Sequence, residues 1–144
     1  MKSYESRATI EAPAAAVWSV LRDGAGYPTW DSGVERVEGT IATGERIKVH
    51  AAVSPGRAFP VKVQVDESAG TMTWTGGMPL GLFRGVRTFT VMPTCNGSTE
   101  FTMREVYTGP LLGLIWRSMP DLGPSFEQFA AGLKAQAERA TRDA

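Results

Sequence analysis

From Ile47 to Phe101 apolar and polar side chains alternate nearly residue by residue, the pattern of strands with one face in a core and the other in water. Ile47, Val49, Ala51 and Val53 share one face, opposite Lys48 and His50, and Ser54-Pro55-Gly56 supplies a turn. Phe59, Val61, Val63 and Val65 form the next apolar face, with Lys62, Gln64 and Asp66 opposite. After a turn over Asp66–Gly70, Met72, Trp74 and Gly76 continue that side, while Thr71, Thr73 and Thr75 point the other way. No strand is apolar on both faces, which predicts an antiparallel sheet with a single buried face. The last hairpin can also be put in register. Pairing Val91 with Phe101 across the turn Thr94–Ser98 sets Phe89 against Met103 and Arg87 against Glu105. A slip of one residue would bring Thr102 and Arg104 beside the apolar set.

At both ends of the chain the period changes. A strand over Tyr4–Glu11 gives way at Pro13 to a short helix with Val17, Trp18 and Leu21 on one face, proline being suited to a first helical turn. A second short turn carries Tyr27, Pro28, Trp30 and Asp31. At the far end Phe126, Phe129, Ala130, Leu133 and Ala137 line one face of a long helix, with Lys134, Glu138 and Arg139 away from it. Ser125 and Gln128 have the spacing of a capping box at its start. Pro120 and Pro124 mark the segment Leu111–Gly123 as an earlier helical turn ended by a kink. One sheet, one long amphipathic helix and two short helices make an α+β arrangement.

The 144 residues fit one domain, 1–144, which at this size buries roughly two thirds of its unfolded surface. The longest apolar run, Leu111–Trp116, is far short of the roughly 20 residues of a membrane span. Met1–Arg7 lacks the apolar core of a secretory signal, so a cytoplasmic location is expected. Fifteen basic and fifteen acidic residues cancel, and no basic cluster occurs along the chain, which argues against nucleic acid as a partner. Cys95, beside Asn96-Gly97, reads as a turn residue, and His50 should face solvent. One histidine and one cysteine far apart make no recognisable zinc-ligand set, and no cofactor is implied.

Arg87 and Glu105 are the sharpest candidates for a site, because both interrupt apolar strand faces and meet in the preferred register. Two readings stand: a buried ion pair that holds the strands, or an anchor in which Arg87 grips a carboxylate, phenolate or enolate oxygen and Glu105 orients it. Trp74, Phe89, Met103 and Tyr107 share the same inner face as core residues or ligand contacts, with the Tyr107 hydroxyl suited to a polar contact. Trp30 either lines a pocket or plugs the core, and Asp31 is a turn former or an acid. The Gly76–Phe83 loop is apolar at its tip and lacks the ending of a phosphate cradle. Together with Leu111, Leu112 and Trp116 it is a candidate gate or homodimer contact.

Ile10-Glu-Ala-Pro13, Val17-Trp18, Tyr27 and Trp30-Asp31, in that order, resemble the start of the START-like (SRPBCC) superfamily, in its polyketide cyclase/dehydrase-type branch. Gly85-Val-Arg87-Thr-Phe89 and Glu105-Val-Tyr107-Thr-Gly109 are similar to two strands of that branch, with arginine where the family commonly has histidine. The resemblance implies a helix-grip fold in which a curved antiparallel sheet and the C-terminal helix enclose an elongated cavity. It implies a binding or carrier protein for a small hydrophobic or aromatic ligand, with Arg87, Glu105, Tyr107, Trp74, Phe89, Met103 and Trp30 around it. An aromatic polyketide cyclase/dehydratase-type enzyme is the alternative, with Glu105 or Tyr107 handling protons and Arg87 steadying an enolate. A protein-interaction or quinone-chaperone-like module is the third reading. Arginine stays protonated and cannot serve as a general base at neutral pH, which tilts the balance toward binding.

Overall fold

Polar and glycine turns cut the alternating stretch into strands much as the side chains demand. The computed structural model describes residues 1–143. The chain runs β1 (Lys2–Ile10), α1 (Ala14–Arg22), a 3-10 turn (Gly24–Thr29), β2 (Val34–Glu38), β3 (Arg46–Ala51), β4 (Phe59–Asp66) and β5 (Thr71–Gly77). A second 3-10 turn (Pro79–Gly81) leads to β6 (Arg84–Pro93), β7 (Thr99–Thr108), α2 (Leu112–Ser118) and α3 (Gly123–Arg142). The seven strands form one curled antiparallel sheet in the order β1-β7-β6-β5-β4-β3-β2, the helix-grip arrangement. Val91 faces Phe101, Phe89 faces Met103 and Arg87 faces Glu105, the register that keeps the apolar set on one face.

α3 crosses the inner face of the sheet, with its closest strand neighbour in β1. There the inward residues Ser6 and Ala8 are small, and Phe129, Ala130 and Leu133 of α3 are buried. The Lys134 ammonium donates to the Thr9 carbonyl at 2.7 Å, and Glu138 accepts from the Glu11 N–H at 2.8 Å, tying α3 to the end of β1. Phe89, Phe101, Phe129, Tyr27 and Trp74 fill the middle of the interior with mutually packed rings.

Several local expectations are corrected. Pro13 is the N-cap of α1 rather than its first helical residue, and its carbonyl accepts from the Ala16 and Val17 N–H groups. Val53 lies beyond β3 in an exposed turn, because the chain already reverses after Ala51. The Ser125–Gln128 capping box does not form. Ser125 lies inside α3, where Asp121 caps the Gly123 N–H at 3.0 Å, and the Gln128 amide donates instead to Asp31 at 2.6 Å. His50 lies on the outer face as expected, yet its ring bonds the Glu38 carboxylate at 2.7 Å and is half-buried.

Candidate functional site

Antiparallel pairing sets Trp74 of β5, Arg87 of β6, Glu105 of β7 and Tyr4 of β1 in one row across the inner face. Period two then places Tyr107 in the next row, opposite Gly85, and Met103 and Ser6 in the row on the other side. The Arg87 Nε donates to Glu105 Oε1 at 2.7 Å, and the guanidinium lies over the Phe126 ring of α3, 4.8 Å from its centroid. A cation over an aromatic face is attracted by the ring quadrupole, so Arg87 is held from two sides. The pair is not sealed, since the Arg87 and Glu105 side chains keep 22% and 16% of their surface in contact with solvent.

Tyr107 is buried, stacked on Phe83 at 6.0 Å between ring centroids and edge-on to Trp116 at 5.6 Å. Among the described residues its hydroxyl has no hydrogen-bond partner, and neither do Trp74 Nε1 and Ser6 Oγ. A buried polar group left unpaired costs about 1–3 kcal/mol, and these three, all within one row of the ion pair, have hydrogen-bonding capacity that no protein group takes up among the described residues. Burial, and then the negative charge of Glu105, push the Tyr107 phenol above its ordinary range, with Arg87 opposing; the phenol feels the carboxylate without a well-formed hydrogen bond to it. Tyr27 is also raised, chiefly by burial, but its hydroxyl donates to the Leu21 carbonyl at 2.6 Å.

The other expected contacts separate into two groups. Phe89 and Met103 are completely enclosed one row deeper, with Phe89 packed on Trp74 and Phe129, so they form the floor beneath the pair. Trp30 packs on Tyr27 and Phe129 and turns its other side to a groove of about 510 Å³ between α1 and the C-terminal half of α3. That groove is lined by Ala16, Val20, Gln136 and Ala140, so Trp30 does not join the Arg87 cluster. Asp31 is a tether to Gln128 of α3. Tyr4 and Phe126 belong to the cluster although the sequence did not single them out. Tyr4 stacks on Trp116 at 5.4 Å and tilts against Phe126 at 5.5 Å. The signal was the alternation Tyr4, Ser6, Ala8, Ile10 in β1. Among the described residues no group of three or more His, Cys, Asp or Glu side chains is placed to hold a metal ion. Among the described residues no helix is long and apolar enough to cross a membrane.

The model of the family described as polyketide cyclase / dehydrase and lipid transport matches residues 1–138. No curated protein sequence matches. Among solved structures, the Zhui aromatase/cyclase from a Streptomyces species is similar over 96% of this chain and 94% of its own, at 16% identity and a TM-score of 0.72. A START superfamily protein from Mycobacterium smegmatis is similar over 96% of this chain and 99% of its own, at 14% identity and a TM-score of 0.69. The di-domain ARO/CYC BexL is similar over 96% of this chain at 19% identity and a TM-score of 0.71, and the chain spans 47% of that longer protein. At these identities the likeness is one of fold.

Proposed function

The chain belongs to the polyketide cyclase/dehydrase and lipid transport family of the START-like superfamily, and from that premise we propose that it binds a small hydrophobic or aromatic molecule whose oxygen is held at Arg87. The observation that carries this reading is the unpartnered Tyr107 hydroxyl and Trp74 N–H beside the Arg87–Glu105 pair. Arg87 spends its Nε on Glu105, and no side-chain hydrogen bond is made by its two Nη groups among the described residues. A carboxylate, phenolate or enolate oxygen brought there would accept from the guanidinium, the phenol and the indole at once. Rings on every side, from Trp74, Phe126, Tyr107 and Trp116, suit a flat apolar body attached to that oxygen.

Holding is favoured over catalysis by the protonation states. Arg87 is permanently charged, Glu105 is paired with it, and Tyr107 is kept protonated by burial. The guanidinium and the protonated phenol have no proton-accepting site to offer at neutral pH. The cyclase/dehydratase reading rests on Tyr107 alone, since a protonated phenol beside a carboxylate can donate a proton to a departing hydroxyl.

Native mass spectrometry of freshly purified protein tests the proposal. The expected result is a bound small molecule in the wild type that is lost in Arg87→Met while the circular dichroism spectrum is unchanged. A wild type free of any adduct, which also fails to bind a panel of aromatic carboxylates and phenols by calorimetry, overturns it. Turnover of a poly-β-keto substrate that is lost in Tyr107→Phe would favour the enzyme instead.

A further inference from the structure

Arg87 and Glu105 cancel each other's charge, and that sets a condition on what Arg87 can hold. The two are joined by a single side-chain hydrogen bond, Arg87 Nε to Glu105 Oε1 at 2.7 Å, rather than by the two-pronged clasp that guanidinium and carboxylate can form. Glu105 Oε2 lies toward Gly85 and the Tyr107 ring, since a Cβ on residue 85 would come within 2.8 Å of that oxygen and 3.4 Å of that ring. Among the described residues no hydrogen bond to Oε2 forms.

The surroundings add no further buried charge. β5 turns Trp74 to the pair, β1 turns Tyr4, α3 turns Phe126, and Tyr107 follows two residues along β7. The first 3-10 turn brings Tyr27, whose phenol feels the Arg87 charge but is kept protonated by burial and donates to Leu21. α2 contributes Trp116, which packs on Tyr4 and Tyr107. The charged residues next to Trp116 and Phe126 in the chain, Arg117 and Glu127, are exposed. Lys2 shares the inward face of β1, but it is exposed at the start of the strand and lies over the Trp116 ring at 5.7 Å.

An anionic oxygen that reaches the Arg87 Nη groups therefore makes two anions share one half-buried cation. Two carboxylates in such a site do not both stay ionised, and one takes up a proton. Hydrogen bonding decides which one. The ligand oxygen gains the guanidinium, the phenol and the indole, all of them donors, whereas Glu105 keeps a single donor and a bare Oε2.

We infer that this protein binds an anionic ligand together with one proton, and that Glu105 is the residue that carries it. The inference rests on Arg87 holding the ligand oxygen. The proton comes from water and forms an O–H bond on the Glu105 carboxyl, while no bond in the ligand is made or broken. Because the complex holds more protons than its separate partners, affinity for a carboxylate rises as pH falls. An uncharged ketone of the same shape brings no second anion and binds without a proton.

Calorimetry with 2-naphthoate and its neutral counterpart 2-acetylnaphthalene tests this. Titrations at neutral pH in phosphate and in Tris, whose heats of ionisation differ, count the protons taken up. About half a proton or more per ligand is expected for the carboxylate and none for the ketone. The Kd for 2-naphthoate should rise by about three- to tenfold for each pH unit from about pH 6 to about pH 8. Glu105→Gln, which keeps the shape and is neutral at every pH, should bind 2-naphthoate about tenfold tighter in mild alkali and without proton uptake. Lys2→Met should keep the wild-type proton count. A wild-type count of zero, or a Glu105→Gln protein with wild-type circular dichroism that binds no tighter, overturns the inference. In either case the Arg87 reading stands if Arg87→Met still abolishes binding. A proton still taken up by Glu105→Gln, or one lost in Lys2→Met, also overturns it, because another group is then titrating. A wild type that never takes 2-naphthoate overturns it too, and if no ketone, aromatic carboxylate or phenol binds either, the Arg87 reading falls with it.

Discussion

Gly85 and Glu105 compete for one volume: a Cβ on residue 85 would come within 2.8 Å of Glu105 Oε2, and within 3.4 Å of the Tyr107 ring. The missing side chain on β6 is therefore what lets the carboxylate lie flat against the sheet, where its other oxygen meets Arg87.

Gly85→Ala is expected to fold, because the end of a glutamate side chain can swing away, at a cost of about 1 kcal/mol. Urea unfolding measures that loss. The Arg87 Nε–H resonance should move to the position of an unpaired arginine, and an unmoved resonance would show that Gly85 is not what seats the carboxylate.

Removing one partner of a fully buried ion pair costs about 3–5 kcal/mol. With part of both Arg87 and Glu105 in contact with solvent, Arg87→Met and Glu105→Gln should each cost about 1–3 kcal/mol. Arg87→Met combined with Glu105→Leu should cost less than the sum of its two single changes by about 1 kcal/mol or more. Strict additivity in chemical unfolding would mean that the two side chains are not coupled.

The two buried tyrosines should respond oppositely to loss of the hydroxyl. Tyr27→Phe removes the donor to the Leu21 carbonyl and should destabilise by about 1–2 kcal/mol. Tyr107→Phe removes an unpartnered group and should be neutral or stabilising by up to about 1 kcal/mol, while weakening ligand binding. Both phenols are raised in the folded state. Their protonated form is favoured by folding, so this contribution is fully present below the unfolded phenol value of about 10 and is lost as pH rises beyond it. Stability of the wild type should fall steeply in alkali and that of Tyr27→Phe/Tyr107→Phe less so, as thermal melts across that range will report.

Gly132 sits in the interior of α3, where glycine costs about 1 kcal/mol relative to alanine. Here the helix touches the turn before β2, and a Cβ would overlap the Asp31 carbonyl and crowd the Trp30 ring. Gly132→Ala should therefore destabilise by about 3 kcal/mol despite its better helix propensity, since backbone cannot yield as a side chain can. A raised melting temperature would refute this close approach.

The alternation of side chains was enough to place β3 to β7 and their inner face, because the pleat sends successive residues to opposite sides whatever the rest of the chain does. It was also enough to bring Arg87 opposite Glu105, since any slip exposes Phe89 and Phe101. The period of α3 was equally plain from Phe126 to Ala137. Local pattern, however, says which way a residue faces and not what it meets. That Gln128 reaches Asp31 rather than capping its own helix, and that Trp30 borders an outer groove, depended on how closely α3 approaches a turn nearly one hundred residues earlier. That Tyr107, Trp74 and Ser6 lack partners depended on which groups the packed rings exclude.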